Sequence, residues 1–167
     1  MAELVPSERL QPSLLDRLTD EEPEQRRESG EKRVLSLARL RESVRRDLAW
    51  LLNTGSFGSL FDLSGYPEVE RSTLNFGIPD LTGKTVSSVD AAALVRVIRL
   101  AILQFEPRLL RNTVKVQVLK SQSPSVNTVC FGIQADLWAQ PLPLRLYLRS
   151  ELDLEDGEAR VMEVGGS

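Results

Sequence analysis

The feature that most constrains this chain is a change of period. Up to about Arg111 its apolar residues recur at helical spacing; from Val114 onward they recur at every second position. Spacings of 3.6 and 2 belong to one-faced helices and half-buried strands, so the chain reads as helices first and strands afterwards. That order points to an α+β fold with an antiparallel sheet, because consecutive strands without intervening helices join by hairpins.

The first helix is predicted over 34–53. Leu37, Leu40, Val44, Leu48 and Leu51 make one stripe, and Asn53-Thr54-Gly55 stops it. Arg39, Arg41, Arg45, Arg46 and Asp47 fall mainly off that stripe. The second helix is predicted from Ser87 or Ser88, with Ser87-x-x-Asp90 resembling a capping box. Its stripe is Leu94, Ile98, Ala101 and Phe105, widened by Val97 and Ile102. Pro107 ends it, because a proline pushes the preceding residue, Glu106, out of the α region.

Between the helices, residues 55–84 hold five glycines, two prolines and no regular period. They also hold Leu60, Phe61, Leu63, Tyr66, Val69, Leu74, Phe76 and Ile78, so the segment is expected to be an ordered loop pinned to the core. Three alternating runs follow, centred on Val114–Val118, Val129–Leu137 and Leu144–Leu154, and Asp156-Gly157 turns into a fourth, 159–164. The expected architecture is a meander of about four strands, with one face covered by two preceding helices.

Two regions divide the chain. Residues 1–32 read as a tail, and 33–164 as the α+β domain. Within the tail, Leu14, Leu15 and Leu18 form a small amphipathic patch, followed by an acidic run broken by Pro23 and Gly30. Such a patch either folds back on its own domain or docks in a partner's groove. The net charge of −3 conceals a sum of −4 over 1–32, +6 over 33–150 and −5 over 151–167. Of the 21 basic residues 17 are Arg and they are scattered, while only 5% of residues are aromatic, which disfavours nucleic acid.

The residue inventory excludes much chemistry. With no histidine, the chain has no Ser-His-Asp or Cys-His catalysis and no imidazole metal ligand. A single cysteine, Cys130, gives neither an internal disulfide nor a thiolate zinc site, and on its strand it is expected to be an inert small residue. No cofactor is expected. No stretch reaches the ~20 apolar residues of a membrane span, and the N-terminus lacks a secretory pattern. The chain is therefore expected to be soluble and cytoplasmic, without membrane insertion.

The one constellation with catalytic potential is Glu106-Pro107-Arg108. Glycoside hydrolysis needs a second carboxylate across a cleft, which the fold has to bring from Asp62, Asp80 or Asp136. An adjacent Arg lowers a carboxylate pKa and works against a general acid, so an ion pair is the expected role. Arg45-Arg46-Asp47 is either a solvated helix face or an Arg-rich contact surface. Trp50 and Trp138 are expected to be packing residues, not ligand readers.

Four stretches together resemble one family. They are Leu14-Leu15-Asp16-Arg17-Leu18, Ser43-Val44-Arg45-Arg46-Asp47-Leu48 with Leu51-Leu52-Asn53, Tyr66-Pro67-Glu68-Val69 leading into Leu74-Asn75-Phe76-Gly77-Ile78-Pro79-Asp80-Leu81, and Phe105-Glu106-Pro107-Arg108-Leu109. In order and spacing the chain resembles TssE, the type VI secretion baseplate subunit, which is similar to the phage baseplate wedge protein. The resemblance implies a structural role without catalysis. It implies the wedge partners TssF, TssG and TssK and the sheath proteins TssB and TssC. It also implies that Glu106, Pro107 and Arg108 serve wedge and sheath contacts. Regulatory anti-adaptor relatives of the same fold, and a peptidoglycan hydrolase, are the alternatives.

Overall fold

A computed structural model describes residues 14–19, 37–120, 127–138 and 143–164. Helices α1 (Leu14–Leu18), α2 (Leu37–Leu52), α3 (Pro67–Arg71) and α4 (Ala91–Phe105) come first. Strands β1 (Lys115–Leu119), β2 (Thr128–Leu137), β3 (Leu144–Asp153) and β4 (Ala159–Glu163) follow. They form one antiparallel sheet in the order β1-β2-β3-β4, the meander expected of an α+β chain.

Helix α2 buries Leu40, Val44, Leu48, Leu51 and Leu52, whereas Leu37, at its first turn, is exposed. Residues 34–36 of the predicted helix lie outside the described residues. The helix stops where Asn53 turns its side chain back to the Ala49 carbonyl, Nδ2 to O 2.7 Å. The same amide reaches β4, donating to the Ala159 carbonyl at 2.8 Å and accepting the Ala159 N–H at 2.8 Å. One side chain thus ends the helix and ties it to the sheet's last strand.

Helix α4 starts later than its sequence suggests. Its N-cap is Asp90, whose carboxylate accepts the N–H groups of Ala92 and Ala93. Residues Val86–Ser88 form a separate 3-10 turn closed by a Thr85–Ser88 capping box. Asp90 wins because a carboxylate both accepts two otherwise unpaired amides and complements the positive end of the helix dipole. The α4 stripe of Leu94, Ile98, Ala101 and Ile102 is buried, with Phe105 half-buried edge-on against Phe76.

α2 lies against β4 and α4 against β1, so the two helices cover one sheet face. Beneath them sit Val129, Phe131, Ile133, Ala135, Leu137, Leu146, Leu148, Leu152 and Val161. β3 is paired on both sides, which leaves β1 and β4 as the sheet edges among the described residues. Val118 has core-facing parity but is exposed, being on an edge strand near the rim of the helix layer.

The loop between α2 and α4 is anchored to the end of α2, and through Gly83 N–H to the Leu154 carbonyl. Ser56 N–H donates to the Ile78 carbonyl at 2.8 Å and Ile78 N–H to the Thr54 carbonyl at 2.9 Å. Gly77 makes this possible: at φ 128° any Cβ would stand 2.2 Å from the Thr54 carbonyl oxygen. Leu63, Ile78 and Leu81 are buried, but Leu60, Phe61, Tyr66 and Leu74 are exposed, against expectation. The turn hydrogen bonds fix the backbone, so the loop is ordered without burying all its apolar residues. Trp50 and Trp138 are about half exposed, and the Trp50 ring packs under the Arg46 guanidinium.

Candidate functional site

Pro107 breaks α4, leaving Glu106 at φ −118°, ψ 81°, with its N–H still bonded to the Ile102 carbonyl. The chain then crosses to the end of β2, where Trp138 N–H donates to the Arg108 carbonyl at 2.8 Å and Leu110 N–H to the Asp136 carbonyl at 2.9 Å. This clamp fixes residue 108 at the junction of helix and sheet. The Glu106 side chain folds inward and is 4% exposed, while Pro107 stays at the surface.

A buried carboxylate needs a partner, and Arg108 supplies a fork. Its Nε donates to Glu106 Oε1 at 2.7 Å, its Nη2 to Oε2 at 2.5 Å, and its backbone N–H to Oε1 at 3.1 Å. The remaining guanidinium hydrogens turn to α2: Nη1 donates to Ser43 Oγ at 2.9 Å and Nη2 to Asp47 Oδ2 at 2.5 Å. Asp47 is shared with Arg46, whose Nε lies 3.0 Å from Asp47 Oδ1. Arg46 in turn reaches Asp16 of α1, Nη1 to Oδ1 2.5 Å, and its guanidinium sits 5.0 Å over the Trp50 ring.

Ser43, 5% exposed, completes the junction. An arginine can only donate, so Ser43 Oγ accepts from Arg108 and gives its own proton to Asp16 Oδ2 at 2.8 Å. Burial works against the charge on Arg108 more than any single contact, yet Glu106 and then Asp47 together hold its pKa above the ordinary value. The Arg46 pKa is also raised, first by the hydrogen bond to Asp16.

Of the residues singled out in the sequence, Arg46, Asp47, Glu106 and Arg108 meet here. Arg45 does not: it pairs with Glu42 and donates to the Val161 carbonyl on β4 at 3.0 Å. Leu15 and Leu18 of α1 are exposed, and the Leu14 side chain lies outside the described residues. Ser43 and Asp16 had entered only as letters within motifs. Ser43 carried a legible signal, a small polar residue in the buried stripe of α2, three positions after Leu40. Asp16 carried none, since nothing local says which charge it meets.

The acids considered as second carboxylates are engaged elsewhere. Asp62 accepts the Ser64 N–H, Asp80 the Thr82 N–H and hydroxyl, and Asp136 pairs with Arg145. The carboxylate linked to Glu106 is Asp47, with a guanidinium between them. A groove of about 300 Å³ opens at the end of α2 beside Asp80 and Asp156, and Glu106 is not among its lining residues. Among the described residues no helix is long and apolar enough to cross a membrane.

A family model described as baseplate wedge protein gp25 matches residues 38–142, from α2 through the end of β2. No curated protein matches the chain. The matched span contains Ser43, Arg46, Asp47, Glu106 and Arg108, whereas Asp16 precedes it. With more than half its length in that match, the chain belongs to the baseplate wedge protein gp25 family, the family of TssE.

Proposed function

We propose that this chain is a structural subunit of a type VI secretion baseplate that joins the wedge to the contractile sheath. The family match supports a baseplate role, and the observation that carries the finer reading is the Glu106–Arg108–Asp47 junction. A buried, fully engaged acid is unsuited to proton transfer and well suited to holding a surface in one shape. On this reading the protein is not an enzyme, binds no cofactor or nucleic acid, and acts in the cytoplasm at the inner membrane face without inserting. The 33–164 domain forms the platform and the 1–32 tail adds a contact through Leu14, Leu15 and Leu18. Arg45, Arg46, Asp47, Glu106, Pro107 and Arg108 line or shape the wedge-facing surface.

TssF, TssG and TssK are the proposed wedge partners, and TssB and TssC the sheath partners. Sheath strands need an open edge on which to pair. β4, at 159–163, is an edge strand, but Asn53 engages both backbone groups of Ala159 and Arg45 the Val161 carbonyl, so a sheath strand pairing there has to displace those side chains.

Co-expression with TssF, TssG and TssK followed by size exclusion tests this. The wild-type chain is expected in the complex, and Leu15→Asp/Leu18→Asp, which alters only exposed side chains, is expected to weaken it. A folded wild-type chain that never joins the complex overturns the reading.

A further inference from the structure

The two edges of the sheet are not equivalent. On β4, Asn53 takes both backbone groups of Ala159 and Arg45 the Val161 carbonyl, while Arg41 holds the Glu163 side chain at 3.4 Å. Side chains of α2 thus stand in for the neighbouring strand that β4 lacks.

β1 has no such cover. Arg99 Nε donates to the Val114 carbonyl at 3.1 Å, just before the strand begins. Among the described residues, 115–119 make no hydrogen bond beyond their pairing with β2. Alternate residues of an edge strand aim N–H and C=O groups outward, and the protein partner that fits such a row is another extended backbone.

Charge decides what that backbone carries. From residue 91 to 120 the one acid is Glu106, which Arg108 already pairs. Arg96, Arg99, Arg111, Lys115 and Lys120 are all exposed, and none has an ion-pair partner among the described residues. α4 packs on β1, so these cations border one edge. A second copy of the chain would set like charge against like charge there. Lys115 points away from the helices, whereas Val118, 48% exposed, lies on the helix side. An added strand therefore meets a cation on one face and an apolar side chain on the other.

We propose that β1 is a docking edge for an extended partner segment in which acidic and apolar residues alternate, the β4 edge being closed by α2. This moves the strand pairing considered above from β4 to β1, and rests on the assembly reading only for the owner of the segment.

The test adds the peptide acetyl-Glu-Val-Glu-Val-Glu-Val-amide to the full, isotope-labelled chain and follows amide exchange. At about ten times its Kd, the peptide is expected to slow the outward β1 amides about tenfold and to leave β4 unchanged. The counterpart with Lys for each Glu is expected to protect nothing, and Lys115→Glu/Lys120→Glu, both at exposed positions, to reverse the preference. Protection at β4 instead of β1, protection at neither, or equal protection by both peptides overturns the proposal. So does equal protection by the acidic peptide N-methylated at every residue, because that contact is charge alone. Outward β1 amides already protected in the free chain overturn it as well: loss of that protection on dilution assigns the edge to a second copy, and its persistence to another segment of this chain. A chain that takes the peptide at β1 but never joins the wedge complex supports the docking edge and fails the assembly reading. One that joins the complex but ignores the peptide fails the docking edge alone.

Discussion

Arg108 Nη2 lies 2.5 Å from Asp47 Oδ2, so a guanidinium carried by the turn after α4 closes on a carboxylate in the middle of α2. The two residues are 61 positions apart, and the contact fastens the two helices at the end where the chain enters the sheet.

Removing Arg108 leaves Glu106 buried without its cation. Arg108→Ala is expected to destabilise the domain by about 3–5 kcal/mol, the range for breaking a buried pair from one side. Glu106→Gln/Arg108→Met, which removes both charges, is expected to recover part of that loss. Urea melts of the single and double variants check this, and equal destabilisation in both denies the charge argument.

Gly77 is the least replaceable backbone position in the loop. Gly77→Ala puts a methyl against the Thr54 carbonyl at a φ of 128° and is expected to cost about 2–4 kcal/mol. Gly55→Ala, where nothing lies within 4 Å, is the control and is expected to be far milder. Thermal denaturation of the two variants makes the comparison.

Asn53→Ala deletes the paired amide contact with Ala159 and leaves the backbone N–H and carbonyl of a buried residue without it. A loss of about 1–3 kcal/mol is expected. Because the contact joins α2 to an edge strand, faster amide exchange is expected first at β4, and exchange that rises uniformly instead denies the local role.

The acid limb of stability has a definite direction. The Glu42 carboxyl is held below its ordinary value, first by the hydrogen bond from Arg45, with burial opposing. Asp62 and Asp80 are lowered by hydrogen bonds from Ser64 and Thr82. A lowered folded-state pKa gives stability that is complete above about pH 4–5 and lost as pH falls through the folded value. With no histidine in the chain, the melting temperature is expected to be flat from about pH 6 to 7.5 and to fall only below about pH 4. Glu42→Gln removes its share of the acid slope, a few tenths of a kcal/mol for so exposed a pair.

The order of elements, the helix stripes, the strand parity and the break at Pro107 were all legible in the sequence, because each is set by residues within a few positions of one another. Helix period, pleat period and the restriction before proline act locally, so Leu40 to Leu51, Leu94 to Ile102 and Val129 to Leu137 declare their faces without knowledge of the fold. Glu106 and Arg108, two residues apart, were readable as ion-pairing residues, but whether they pair with each other or reach out to a partner was not. Nor was the choice of Asp90 over Ser87 as N-cap. It depends on how Thr85–Ser88 fold into their own turn, with Asn127 near β2 accepting the Val86 N–H and donating to the Lys84 carbonyl. The meeting of Asp16, Ser43, Arg46, Asp47 and Arg108 was decided by tertiary structure alone. A charge has no periodicity and pairs with whatever the packed helices bring within reach. Those partners become fixed when burying the α2 and α4 stripes on the sheet carries Arg108 onto α2.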